Sequence, residues 1–250
     1  MGVVIRLKNV NIGASPLGVI KQGFLSQGTM TLVPSVDGVV SRLPTGINLT
    51  SVGTPVVTAQ YMQGNGTINY LKTNYVRDST KDFTLAVVLR RDAVDGTQFY
   101  AGDYHNASDI NNPINTGMGI ISTGATGIRP VVHLTAGAAF STEDMPTALS
   151  TGVQLQEWYF ACLTVNASAR TGTLYVPALG VAWTSTWEAA MRPLEPTEYI
   201  SFLGNSSGAS GGAAKLALAS FYERAFTQAE VTQQHTLAKD FCASKGLTIN

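Results

Sequence analysis

The stretch richest in ligand-type side chains is Asp103-Tyr-His-Asn-Ala-Ser-Asp-Ile-Asn-Asn-Pro-Ile-Asn-Thr116. A saccharide needs flat rings against its C–H faces and amides or carboxylates for its hydroxyls. Tyr104, His105, Asn106, Asp109, Asn111 and Asn112 supply both kinds, and Asp103 stands at the entry to the stretch. The same oxygens suit Ca²⁺, a hard cation that takes carboxylates and amides, so Asp103 and Asp109 are the candidate metal ligands. An ordinary long surface connection is the competing reading of the stretch. Trp183 and Trp187 bracket Thr184-Ser-Thr186 and serve either as a stacking platform or as core side chains. If these loop residues contribute little to the core, replacing Asp103, Tyr104 or Asp109 by alanine weakens ligand binding and leaves the melting temperature nearly unchanged.

Catalytic patterns are weaker. A retaining glycosidase needs two carboxylates facing one cleft, and no alternating Glu-x-Asp-x-x-Glu run occurs. Gly204-Asn-Ser-Ser-Gly208 and Gly208-Ala-Ser-Gly-Gly212 match the Gly-x-Ser-x-Gly hydrolase pattern. That chemistry requires a strand-to-helix elbow, whereas Lys215–Tyr222 reads as another strand. His105, His133 and His235 have no metal-ligand spacing, and His133, between Val132 and Leu134, reads as a strand-face residue. Cys162 lies in an apolar run and Cys242 in a terminal helix, a pattern of two buried free thiols.

These residues need a scaffold, and its elements recur at short intervals. Phe83–Leu89 alternates Phe83, Leu85, Val87 and Leu89 on one face. Trp158–Val165 is apolar on both faces, as a strand covered on both sides would be. Asn166–Gly172 turns into Thr173–Val176, which Pro177 stops. Shorter strands are expected at Thr97–Ala101, Gly119–Ser122, Ile128–Leu134, Tyr199–Leu203 and Lys215–Tyr222. One helix is expected over 227–245. Thr227-Gln-Ala-Glu230 forms a capping box, Phe226 and Val231 a hydrophobic staple, and Gly246 a left-handed stop. Val231, Ala238, Phe241 and Cys242 form its apolar stripe. Residues 1–60 are looser, and residues 1–20 read as an arm or edge strand. Val3–Ile12 within them is expected to pair with another chain or a neighbouring sheet edge.

Composition supports the same class. Among 250 residues, 44% are hydrophobic and only 13% charged, with 25 glycines, so many strands and tight turns fit better than a helical bundle. The formal net charge is zero, and no basic run offers a phosphate-binding stripe, which argues against a nucleic-acid partner. No apolar stretch of roughly 18 residues suits a membrane span. The N-terminal sequence does not read as a secretory signal, so synthesis in a cytoplasm is expected.

The order of segments is then specific. Tyr61-Met-Gln-Gly-Asn-Gly66 leads to Ile68-Asn-Tyr-Leu71, and Asp82-Phe-Thr-Leu85 opens a strand. Gln156-Glu-Trp-Tyr-Phe-Ala-Cys-Leu-Thr164 precedes Thr173-Leu-Tyr-Val176. Phe202-Leu-Gly204 precedes a Ser/Gly loop and the closing run Leu216–Val231. This order resembles the concanavalin A-like lectin/glucanase superfamily, and within it the laminin-G-like jelly rolls, over roughly residues 60–232. Pro177-Ala-Leu-Gly180, where an acidic-Gly turn is usual, and Ala219-Ser220, where an acidic residue is common, depart from the pattern. Ile5-Arg-Leu-Lys-Asn9 and Lys245-Gly-Leu-Thr-Ile249 resemble terminal segments of bacteriophage tail and fibre proteins.

The resemblance implies an all-β fold, a two-sheet antiparallel jelly-roll sandwich with one C-terminal helix, spanning residues 21–250. It implies a non-catalytic structural module of a tailed-phage virion, in the tail, fibre, baseplate or surface decoration, able to contact host-surface polysaccharide. Copies of itself and other virion proteins are the expected partners, with no membrane insertion and no cofactor besides Ca²⁺. A free lectin and a glycan hydrolase are the alternatives.

Overall fold

Two strands, β7 (Phe83–Arg90) and β11 (Trp158–Asn166), form the centre of the larger sheet. They pair antiparallel with Leu85 opposite Leu163 and Phe83 opposite Val165. In this computed structural model, residues 30–92, 96–105, 116–123, 127–134, 152–189, 196–206 and 212–250 are described. Outward from β11 lie β12 (Thr171–Val176) and β13 (Val181–Thr186). On the other side of β7 come β15 (Ala213–Tyr222), β1 (Met30–Ser35) and β2 (Gly38–Arg42). The first half of β15 also pairs with β5 (Met62–Asn65), which carries the short β4 (Val56–Val57).

The second sheet runs β10 (Ile128–Val132), β9 (Met118–Thr123), β8 (Thr97–Gly102), β14 (Ser201–Phe202), β6 (Tyr70–Thr73) and β3 (Leu49–Val52). Every strand pairing in both sheets is antiparallel, and the architecture is the expected two-sheet jelly-roll sandwich.

Period-2 alternation sorts the central side chains. Leu85, Val87 and Leu89 enter the inter-sheet core with Leu163, Tyr100, Ile120, Leu71 and Phe202. Ala86, Val88, Phe160 and Cys162 face the other way, under helix α1 (Gln228–Ser244). This explains why Trp158–Val165 is apolar on both faces: one face meets the second sheet and the other meets the helix. Val231, Ala238, Phe241 and Cys242 are the buried stripe of α1, as its spacing predicts. Both cysteines are free and buried.

The ends of α1 follow their local chemistry. The Thr227 hydroxyl accepts from the Glu230 N–H, and the Glu230 carboxylate accepts from the Thr227 N–H, so the capping box is closed. At the other end, the Leu247 N–H donates to the Cys242 carbonyl and the Gly246 N–H to the Ala243 carbonyl, with Gly246 at φ 73°. These are the two bonds of a Schellman stop, and the left-handed φ suits glycine.

Two expectations about the chain ends change. The β1 strand is buried along its whole length and lies inside the sheet, so the segment just after residue 29 is core rather than a loose outer strand. Proline is usually kept out of central strands, and β1 carries Pro34. It falls beyond the Met30–Leu32 stretch that pairs with β15, where the missing N–H is harmless on that side. The terminal Lys245–Ile249 segment is not a free docking arm. Lys245 Nζ donates to the Pro34 and Ala59 carbonyls, and Ile249 is buried and bridged to Trp158. Residues 1–20, the expected arm, lie outside the described residues.

Candidate functional site

Sheet pairing first decides which outer face could receive a ligand. Helix α1 covers the outer face of the larger sheet, whereas among the described residues no helix covers that of the second sheet. That outer face carries Arg129, Val131 and His133 from the β10 segment, and Ile121 and Gly119 from β9. Phe99, Lys72 and Tyr70 follow from β8 and β6.

A bulge in β8 between Phe99 and Ala101 sets its side chains. Tyr100 and Ala101 both enter the core while Phe99 points outward. Beyond β8, Tyr104 crosses back over this face. It lies over Gly119, where a Cβ would come within 3.5 Å of the Tyr104 Cβ and 3.0 Å of the Phe99 ring. The rings of Phe99, Tyr104 and His133 then stack in series, with centroid separations of 6.4 and 5.4 Å and interplanar angles of 18° and 15°.

His105, the next residue, belongs to a polar group. Its Nδ1 stands 3.5 Å from Glu198 Oε1, and Glu198 Oε2 stands 3.8 Å from Lys72 Nζ. Lys72 in turn lies over the Tyr199 ring, 4.8 Å from its centroid, and Tyr199 is 40% exposed. Thr116 and Thr197 share a hydroxyl–hydroxyl bond of 2.9 Å beside them. A carboxylate, an ammonium and an exposed phenol thus converge from β6 and the segment entering β14.

The residues proposed from sequence divide sharply. Asp103 is 1% exposed and turned inward. Its Oδ2 accepts from Arg77 Nε at 2.9 Å and its Oδ1 from the Met118 N–H at 2.7 Å. Burial raises the Asp103 pKa, while Arg77 and the Met118 N–H oppose that by favouring the carboxylate. This is an internal ion pair, so the carboxylate proposed for Ca²⁺ is already engaged.

Tyr104 has both ring faces occupied, by Phe99 and His133, and is no open platform for a sugar. Trp183 and Trp187 belong to the inter-sheet core, Trp183 opposite Leu174 on β12, which decides between their two readings in favour of core. His105 alone of the original set borders the polar group, and it is buried itself, reaching that group through Glu198. Asn106, Asp109, Asn111 and Asn112 lie outside the described residues. Among the described residues, no three His, Cys, Asp or Glu side chains come together as a metal site.

Lys72, Glu198 and Tyr199 were missed from sequence. Only the alternation of Tyr70-Leu-Lys72 gave a signal, by placing Lys72 opposite Leu71.

A concavity of about 320 Å³ lies between α1 and the β12–β13 edge, lined by Tyr175, Pro177, Val181, Gln228, Thr232 and His235. His235 there stacks on Phe160, and its Nε2 lies 3.2 Å from the Asn250 carbonyl oxygen.

His133 is 4% exposed, and neither ring nitrogen has a hydrogen-bond partner. Burial disfavours its charged form and lowers the pKa to about 4. The unfolded chain therefore takes up a proton at this residue from pH about 6.5 downward that the folded protein refuses until about 4. Stability from this residue is fully present above the unfolded value and falls as the pH drops through that window. His133→Phe keeps a ring against Tyr104 but removes the proton site. Between pH 7 and 4, the parent should lose about 3 kcal/mol more than this variant. Urea unfolding at both pH values measures the difference, and equal losses would refute the assignment.

No protein-family model matches the chain, and no curated protein matches it. Solved structures do resemble it. The Trypanosoma rangeli sialidase in complex with sialic acid superposes with a TM-score of 0.60 at 16% identity, covering 87% of this chain and 34% of the sialidase. The botulinum neurotoxin serotype G binding domain gives 0.60 at 11% identity, covering 85% and 51%. The receptor binding domain of botulinum neurotoxin D gives 0.59 at 9% identity, covering 85% and 53%. The chain thus spans about half the length of the toxin domains and about a third of the sialidase. At these identities the likeness is one of fold, a two-sheet β-sandwich.

Proposed function

We propose that this chain is a non-catalytic recognition module that binds a saccharide on the outer face of the six-stranded sheet, as part of a bacteriophage tail or fibre. The observation that carries this reading is the group formed by Lys72, Glu198 and Tyr199. An exposed ring offers a surface to sugar C–H groups, and a carboxylate and an ammonium beside it accept from and donate to sugar hydroxyls. Two of the structural neighbours are described as binding domains and a third as a sialidase holding sialic acid, which supports saccharide recognition on this fold. The phage setting rests on the resemblance of the two terminal segments. Copies of this chain and other virion proteins are its proposed partners, met through Val3–Ile12.

The test is a glycan array with the isolated protein, followed by calorimetry on the glycans it retains. Tyr199→Ala and Glu198→Ala should each weaken binding about tenfold or more while the melting temperature moves by only a few degrees. Undiminished binding by both variants would remove the site. Release of reducing ends from a polysaccharide would instead make the protein a hydrolase.

A further inference from the structure

Lys72 and Glu198 differ from the other ion pairs among the described residues. Arg77 reaches Asp103 at 2.9 Å, and Lys215 reaches Asp92 at 2.6 Å. Lys81 and Asp78, at 3.6 Å, are a solvent-exposed pair. Lys72 Nζ and Glu198 Oε2 stand 3.8 Å apart, yet their side chains are only 29% and 18% exposed. A charge-assisted hydrogen bond closes at about 2.7–2.9 Å, so this pair is held open. Among the described residues neither side chain makes a hydrogen bond.

Both groups are fixed from elsewhere. Ile200, which follows Tyr199, donates its N–H to the Tyr75 carbonyl, and its own carbonyl accepts from the Thr73 N–H and hydroxyl. The segment bearing Glu198 and Tyr199 is thereby tied to the end of β6 that carries Lys72. Glu198 Oε1 faces the buried His105 ring at 3.5 Å while Oε2 faces Lys72. Lys72 Nζ is in turn drawn over the Tyr199 ring, 4.8 Å from its centroid. A carboxylate and an ammonium with unused bonding capacity therefore face one another across a preformed gap, beside a ring that is 40% exposed.

We propose that this gap is a diol subsite: the saccharide presents two hydroxyls on adjacent ring carbons, one accepting from Lys72 Nζ and the other donating to Glu198 Oε2, with no charged group at that edge. This rests on the saccharide reading above and adds the class of ligand. A hydroxyl both donates and accepts, so a pair of them satisfies an ammonium and a carboxylate together. One hydroxyl bonded to both groups across 3.8 Å would have to donate and accept at an angle tighter than tetrahedral. Hydroxyls on adjacent carbons span the gap without that compression, and hydroxyls across the ring lie too far apart. Charge selects against the other edges. A ligand carboxylate drawn to Lys72 would meet Glu198, and a ligand ammonium drawn to Glu198 would meet Lys72.

The test is an NMR titration of the whole chain with the methyl glycosides of glucose, galactose and mannose. Each glycoside that binds is compared with its 2-, 3- and 4-deoxy derivatives. Lactose is compared with sialyllactose, and methyl galactoside with methyl galacturonate. Two deoxy derivatives, altered at adjacent carbons, should each bind about tenfold or more weaker than the parent glycoside. In Lys72→Met one of these losses should disappear, because the hydroxyl has no partner left to lose. In Glu198→Gln the other should shrink. Neutral probes should bind at least as tightly as their acidic counterparts. Melting temperatures of both variants show that they are folded.

Losses confined to carbons that are not adjacent overturn the diol subsite, while binding that still depends on Tyr199 keeps saccharide recognition. The subsite also falls if the deoxy losses are the same in the parent and both variants, or if an acidic probe binds tighter than its neutral counterpart. Absence of binding by every glycoside overturns it too, and together with an empty glycan array it removes the saccharide reading as well.

Discussion

Asp103→Ala should cost about 3–5 kcal/mol of stability, because it leaves the Arg77 guanidinium buried without its counter-charge. The pair is almost wholly enclosed, with side chains 3% and 1% exposed. Asp103 also holds the Met118 N–H at the start of β9, so the loss extends to the junction of β8 and β9. The backbone there is crowded as well. Gly117 has φ 71°, and a Cβ on it would fall 2.0 Å from the Asp103 carbonyl oxygen, so local rearrangement to shelter Arg77 is obstructed.

For a chain of this size the shift in melting temperature should be roughly 10 °C. Arg77→Met combined with Asp103→Ala should recover much of the loss, since an apolar pair replaces an orphaned charge. Thermal unfolding of the single and double variants decides the matter. A single variant as stable as the parent would show that Asp103 is a surface loop residue after all.

The second large effect is expected at Phe160. It is fully buried between the larger sheet and α1, with the His235 ring stacked on it at 5.4 Å. Phe160→Ala should cost about 3–5 kcal/mol through lost transfer energy and the cavity left behind. The loss should be uneven. Phe160 does not enter the inter-sheet core, whereas its neighbours Tyr159 and Ala161 do. Amide exchange in α1 should therefore accelerate more than exchange in β8 and β9. Leu163→Ala, on the opposite face of the same strand, should give the reverse emphasis. Identical exchange patterns in the two variants would mean that the helix and the inter-sheet core unfold as one unit.

The sequence by itself determined what neighbouring residues determine. The strand at Phe83–Arg90 was legible because its alternation depends only on residues two apart. The helix and both of its ends were legible because Thr227, Glu230 and Gly246 act on backbone groups within one turn. The two-sided apolar run at Trp158 announced cover on both faces, although not that the second cover is the C-terminal helix. The order of such strands was enough for the sandwich itself.

Only the tertiary structure decided which polar residues face outward. Asp103 and Tyr104 look like ligand residues in a polar stretch, yet Asp103 meets Arg77, 26 residues earlier, and Tyr104 is held between Phe99 and His133. Trp183 could be platform or core until its strand took its place beside β12. His105, Glu198 and Lys72 come from three separate segments and form one group only because β14 lies between β8 and β6. A side chain's chemistry is a local property, but its burial and its charge partner depend on which strand lands beside it. Strand pairing over more than a hundred residues leaves no periodic mark in the chain.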